Sequence, residues 1–244
     1  MSETADIMLR LEGVFTNIGR YRILHGVDFS VRRGRVTALL GRNGAGKTTT
    51  LRTIMGLWKA RLGKIVFDGQ TITALETPHI ARRGIAYVPE NMGIFGGLTV
   101  RENLVLAAAS GPISAERLER VLSLFPPLKT FYELPAGNLS GGQKQMLSIA
   151  RAMIEKRRLV LVDEPSKGLS PSMVKTMTEA LAELKRSGTT ILMVEQNFAT
   201  AEALGDSVAI MDDGRIVHRG RMAELAADRA LQEKLMGLSL EAHQ

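Results

Sequence analysis

The sequence predicts an α/β fold on a largely parallel sheet, with a helical lobe inserted between two parts of the α/β core. Three observations carry this. Short apolar β-type runs alternate with helical patterns along most of the 244 residues, the order a parallel sheet flanked by helices requires. One run, Val36 to Leu40, leads into a glycine-rich turn and then a helical pattern from Lys47. From Thr99 to about Ile154 the periodicity is helical and no convincing strand occurs.

In chain order the expected strands are Ile7–Gly13, Val27–Val31, Val36–Leu40, Lys64–Phe67, Ile85–Val88, Leu159–Val162, Thr190–Val194, Ser207–Met211 and Arg215–His218. Asp68-Gly69 follows Phe67, and Asp213-Gly214 separates Met211 from Arg215; both pairs suit tight hairpin turns. Within the helical stretch Thr99 is an N-cap, and Glu102 three residues on completes a capping box. Ser114 opens a second helix ahead of Arg117 and Leu118. Pro126, Pro127 and Pro135 break the pattern, and Ser140 caps a long helix ending near Lys156. No internal repeat or low-complexity linker is present. The length suits one large domain with an inserted lobe: a core of about residues 1–89 and 157–244, and a lobe of about 90–156.

Composition narrows the function. Apolar residues at 45% support a sizeable core, and aromatics at 5% leave it to aliphatic side chains. The longest apolar run, Leu104 to Ala109, is far short of the about 20 residues that span a bilayer. Met1 to Arg10 has no basic segment followed by an apolar one, so no secretory signal is expected. There is no cysteine, hence no disulfide or thiol nucleophile, and the four histidines lie far apart. The net charge of +7 admits nucleic acid, an anionic membrane or a phosphorylated ligand. The basic residues come in short groups such as Arg32, Arg33, Arg35 and Lys156, Arg157, Arg158, without interleaved aromatics, which disfavours direct nucleic-acid binding. A soluble protein at the cytosolic side of a membrane is expected.

Gly41-Arg42-Asn43-Gly44-Ala45-Gly46-Lys47-Thr48 matches the phosphate-loop pattern G-x-x-x-x-G-K-[ST]. Glycines let backbone N–H groups turn toward phosphate oxygens, and a helix N-terminus adds a favourable dipole. Lys47 suits the β- and γ-phosphates, and the Thr48 hydroxyl suits Mg²⁺. Leu159-Val160-Leu161-Val162-Asp163-Glu164 is a buried-strand run ending in two carboxylates. Ligands of parallel sheets bind at such carboxyl ends. Asp163 suits the Mg²⁺ ion, through water, and Glu164 the attacking water. Leu139-Ser140-Gly141-Gly142-Gln143-Lys144-Gln145 opens a helix with free amides, a second anion edge. Such an edge is redundant for one nucleotide in one monomer; it makes sense if two copies face each other.

With these three motifs in this order, the sequence resembles the ATP-binding subunit of ABC transporters from about Ile7 to Met236. The resemblance implies a P-loop NTPase (RecA-like) core with an N-terminal antiparallel β subdomain and an inserted helical lobe. It implies ATP and Mg²⁺ as cofactors, and a head-to-tail dimer, homo- or heteromeric and ATP-dependent. Gly41, Asn43, Gly44, Ala45, Gly46, Lys47, Thr48 and Thr49 of one subunit and Ser140, Gly141, Gly142 and Gln143 of the other would hold nucleotide. Thr48, Asp163 and Glu90 would serve the metal, and Glu164 and Gln196 catalysis. Glu90 stands where most members have Gln, and Gln196 where most have a switch His. Ser166-Lys167-Gly168-Leu169-Ser170-Pro171 replaces the usual Ser-Ala-Leu-Asp. With Val88-Pro89-Glu90 and Val194-Glu195-Gln196-Asn197, these departures are similar to the second ATPase subunit of branched-chain amino acid importers and its urea and amide-uptake relatives. The implied partners are permease subunits, at the cytoplasmic face of the inner membrane and near Glu90–Leu98, with Ile94 and Phe95 as candidate contacts. A non-transport ABC ATPase and a P-loop kinase are the rival readings. Phe15, Ile18 and Tyr21 are the candidates to contact adenine.

Overall fold

The computed structural model describes residues 6–108 and 111–236. The strands that read as unbroken apolar runs are buried along their whole length: β3 (Val36–Leu40), β7 (Leu159–Asp163) and β8 (Thr190–Val194). A strand alternates its side chains between faces, so a run apolar on both needs cover on both. That is the arrangement found. Val36, Ala38, Leu40, Val160, Val162, Ile191 and Met193 share one core, and Leu39, Leu159, Leu161, Leu192 and Val194 share another.

These strands lie in a six-stranded sheet of order β10-β9-β3-β8-β7-β6, completed by β6 (Ile85–Val88), β9 (Ser207–Asp212) and β10 (Arg215–Arg221). All neighbours are parallel except β9 and β10, which the Asp213-Gly214 turn joins as an antiparallel pair. A second sheet of order β2-β1-β4-β5 is wholly antiparallel: β1 (Ile7–Ile18), β2 (Tyr21–Arg32), β4 (Ala60–Phe67) and β5 (Gln70–Thr71). It covers one face of the six-stranded sheet with α1 (Lys47–Ile54) and α2 (Thr77–Arg82).

β1, β2 and β4 run longer than the sequence suggests. Gly13 does not end β1; it sits at φ 55 in a bulge, with the register shifted between Leu11 and Val14. Its N–H donates to Asp28 Oδ1 at 2.8 Å. Gly63 breaks the apolar pattern of β4 because it crosses this bulge: a Cβ there would lie 2.2 Å from the Gly13 carbonyl oxygen. The hairpin turn falls at Gly19-Arg20 instead.

The other face carries the helices. α3 (Val100–Ala107) begins at the expected capping box: Thr99 Oγ1 accepts from the Glu102 amide and Glu102 accepts from the Thr99 amide. Ser114 caps α4 (Ala115–Leu124). Pro126 and Pro127 do not merely interrupt; they open the short α5 (Pro126–Thr130), where the first turn needs no amide donors. α6 (Gly141–Met153) stops slightly before the expected end. α7 (Pro171–Arg186), α8 (Phe198–Leu204) and α9 (Met222–Ala227) complete this layer, and α10 (Arg229–Met236) ends the described chain. No strand occurs among the described residues between Thr99 and Ile154. No described helix is long and apolar enough to cross a membrane.

Candidate nucleotide site

The turn from β3 to α1 needs glycine. Gly41 takes φ 150, and a Cβ on it would lie 2.2 Å from the Met211 carbonyl oxygen of β9. Gly44 and Gly46 take φ 81 and 105, a region L side chains avoid. Gly46 is the N-cap of α1 and supplies no side-chain acceptor, so the first amides of the helix stay available to an anion. Lys47, 4% exposed, folds back over this loop. Its Nζ donates to the carbonyls of Gly41 at 2.8 Å and Arg42 at 3.1 Å, and stands 3.7 Å from Glu164 Oε1. Burial lowers its pKa, against the opposing pull of Glu164 and Asp163.

Asp163 closes β7 at the carboxyl end of the sheet. Its Oδ1 accepts from Thr48 Oγ1 at 2.9 Å and its Oδ2 from the Tyr87 hydroxyl at 3.0 Å. Burial raises the carboxyl pKa, which the two hydroxyl donors oppose. Tyr87 lies on β6 beside β7. Burial, and then the Asp163 charge, hold its phenol protonated. A hydroxyl and a carboxylate so close offer the hard oxygen donors that Mg²⁺ takes.

Glu164 follows with φ 47, a left-handed turn unusual for a side chain of its size. Its amide donates to the Val194 carbonyl at 2.9 Å, which fixes the turn against β8. The carboxylate is 8% exposed. Oε1 accepts from Gln196 Nε2 at 2.6 Å, and Oε2 faces Lys167 Nζ at 3.1 Å. Burial pushes the pKa up, but the hydrogen bonds from Gln196 and Lys167, with the charges of Lys47 and Lys167, outweigh it and hold the group below its ordinary value. Gln196 also donates to Asn43 Oδ1, so one amide joins the phosphate loop to Glu164.

Two supporting residues have no role assigned from the sequence. Glu195 is buried and accepts from the amides of Ser166 (3.0 Å), Gln196 (3.1 Å) and Asn197 (3.2 Å), tying the loop after β7 to the loop after β8. Burial raises its pKa against these donors. Tyr87 is the other; no motif links it to a carboxylate 76 positions away.

Of the remaining expected residues, Glu90 is joined to this cluster only through Lys167, and the others lie apart. Glu90, past the end of β6, accepts from Lys167 Nζ at 2.6 Å. Ser140 caps α6 in a reciprocal box with Gln143. Gly141 faces open space, and Gly142 lies against Met173. Among the described residues no hydrogen bond or ion pair joins Ser140–Gln143 to the phosphate loop. Of the two loop residues, Ile94 packs on the helical core while Phe95 stays 49% exposed with the Arg151 guanidinium 5.2 Å from its ring centre. Near β1, Ile18 and Phe15 are half-buried and Tyr21 is 62% exposed.

Residues 24–167 match the family model described as ABC transporter. The chain is 38% identical to the high-affinity branched-chain amino acid transport ATP-binding protein BraG of Pseudomonas aeruginosa, over 94% of this chain and 100% of that protein. It is 34% identical to the probable branched-chain amino acid transport ATP-binding protein LivF of Archaeoglobus fulgidus, over 95% of this chain and 99% of that one. A solved structure described as an ATP binding subunit of an ABC transporter matches with a TM-score of 0.80 at 33% identity, covering 96% of each chain. Carrying the phosphate-loop architecture, the family model over more than half its length and relatives that match end to end, this chain belongs to the ABC transporter family.

Proposed function

We propose that this chain is the ATP-hydrolysing subunit of an importer for branched-chain amino acids or related amino acids, seated on a permease at the cytoplasmic membrane face. The observation that carries the reading is the convergence of Lys47, Thr48, Asp163, Glu164 and Gln196 where β3, β7 and β8 end. The names of the two curated relatives support the cargo. The chain is read as one ATPase domain, with its core in about residues 1–89 and 157–244 and its lobe in about 90–156.

In this reading the amides of Gly44 to Thr49 and the Lys47 ammonium cradle the β- and γ-phosphates. Lys47 exchanges its present carbonyl partners for phosphate oxygens. Thr48, Asp163 and Glu90 would hold Mg²⁺, and the ion would supply charge neutralisation to the phosphates. Glu164 orients the attacking water and accepts its proton, and Gln196 reports the γ-phosphate to Glu164 by a hydrogen bond without a charge. Ser140 to Gln143 lie away from their own phosphate loop, which fits an edge offered to the nucleotide of a second ATPase subunit. ATP then bridges two half-sites, and its hydrolysis lets them part. The permease would sit on the Glu90–Leu98 loop, where Phe95 stays 49% exposed, beside a groove of about 410 Å³ lined by Arg82, Tyr87, Pro89, Met92 and Leu106.

Uptake of labelled leucine into vesicles holding the assembled transporter tests the reading. ATP-dependent uptake that Lys47→Ala abolishes supports it. ATP-dependent uptake of urea in place of leucine would move the cargo to the urea branch. ATP turnover without any uptake would leave only the hydrolytic part.

A further inference from the structure

Lys167 is a departure that the proposed chemistry does not use. Its ammonium lies between two carboxylates: Glu90 Oε1 at 2.6 Å and Glu164 Oε2 at 3.1 Å. The backbone sets this up. Glu164 takes its left-handed turn, and the Lys167 amide donates back to the Glu164 carbonyl at 3.2 Å. That brings a side chain three residues later over the carboxylate. Among the described residues no other hydrogen bond or ion pair reaches Oε2, whereas Oε1 is held by Gln196 and faces Lys47.

The two halves of the bridge differ. The Glu164 side chain is 8% exposed, while Glu90 and Lys167 are 40% and 55% exposed. Glu90 holds the ammonium at the shorter distance, and it is also the carboxylate that is exposed and free to move. Glu90 belongs to the segment that borders the groove between the lobe and the core: Pro89, Met92 and Gly93 line it. Met92 is in turn held to the lobe by Ser148, whose hydroxyl donates to its carbonyl at 2.6 Å. A shift of the lobe or of a groove occupant therefore acts on Glu90 directly, and on Glu164 through one side chain.

We propose that Lys167 is a positioning residue acting as a latch: with Glu90 it holds Glu164 Oε2 in the resting subunit, and moving Glu90 withdraws the ammonium and leaves Oε2 free for the attacking water. This rests on the reading of Glu164 as the hydrolytic carboxylate. It predicts that the latch restrains uncoupled hydrolysis by the free subunit.

The test uses the purified full chain with Mg-ATP. Lys167→Met keeps the length of the stem and removes the charge; Lys167→Arg keeps the charge. Lys167→Met should raise kcat about two- to fivefold with KM within about twofold, the scale on which partly exposed ion pairs act. Lys167→Arg should stay near the parental kcat, and both variants should keep the parental thermal transition. An unchanged or lower kcat for Lys167→Met, or an equal rise for Lys167→Arg, overturns the latch. Glu164→Gln, alone and combined with Lys167→Met, separates the two ideas. If it abolishes turnover while Lys167→Met has no effect, the latch fails and the site stands. If Glu164→Gln turns over ATP at the parental rate, the site reading fails and takes the latch with it.

Discussion

At the residue scale, Lys47 is a buried cation whose present partners are two carbonyls of its own loop and a carboxylate at longer range. Lys47→Ala removes the charge proposed for phosphate while the glycine turn remains. ATP binding should fall at least tenfold in equilibrium titration; unchanged binding contradicts the assignment. Gln196 joins Asn43 to Glu164 through one amide. Gln196→Ala should lower ATPase activity with binding retained, whereas Gln196→His should keep some activity and add a pH dependence near neutrality, where imidazole titrates. Parental turnover by Gln196→Ala in the assembled transporter would make the position a bystander. Tyr87→Phe removes one of the two hydroxyl donors to Asp163 and should reduce kcat severalfold at normal expression; no change in kcat would mean that Thr48 alone holds the carboxylate. Lys47, Asp163 and Glu164 were legible because each stands in a short contiguous pattern. Tyr87 was not, because its partner Asp163 lies on the neighbouring strand, and Glu195 was not, because Ser166 reaches it only through the pairing of β7 with β8.

At the element scale, caps and apolar runs carried the information. β3, β7 and β8 were legible as unbroken runs because each needs cover on both faces, and their burial is complete. The long antiparallel strands were only half legible, since the bulge at Gly13 and the crossing at Gly63 look like turns in one dimension. The Thr99 box fixes the start of α3, and Thr99→Ala should cost about 1 kcal/mol of stability by urea denaturation. The Thr99 amide, then its hydroxyl, lowers the Glu102 pKa. The folded value lies below the unfolded one, so this contribution is present above the ordinary glutamate pKa and is lost as pH falls through the lowered value. The parent-minus-variant difference should therefore shrink in acid; a constant difference would place the effect elsewhere in the cap.

At the scale of the whole molecule, one chain presents two candidate anion-binding edges with no hydrogen bond or ion pair between them among the described residues. The phosphate loop lies where β3 meets α1, and the Ser140 edge opens α6 in the helical layer. A second subunit in head-to-tail contact would complete each site, and nucleotide would form much of the contact. The motifs made both edges legible in the sequence and the resemblance implied their pairing across two subunits, while the position of Lys167 between Glu90 and Glu164 needed three-dimensional structure. Glu164→Gln tests the arrangement most directly, because it keeps the shape and the hydrogen bonds of the side chain and removes its basicity. Sedimentation of this variant with Mg-ATP should show a dimer that retains unhydrolysed ATP, against a smaller species without nucleotide. A variant that stays monomeric with ATP while hydrolysing it at the parental rate would contradict both the role of Glu164 and the shared site.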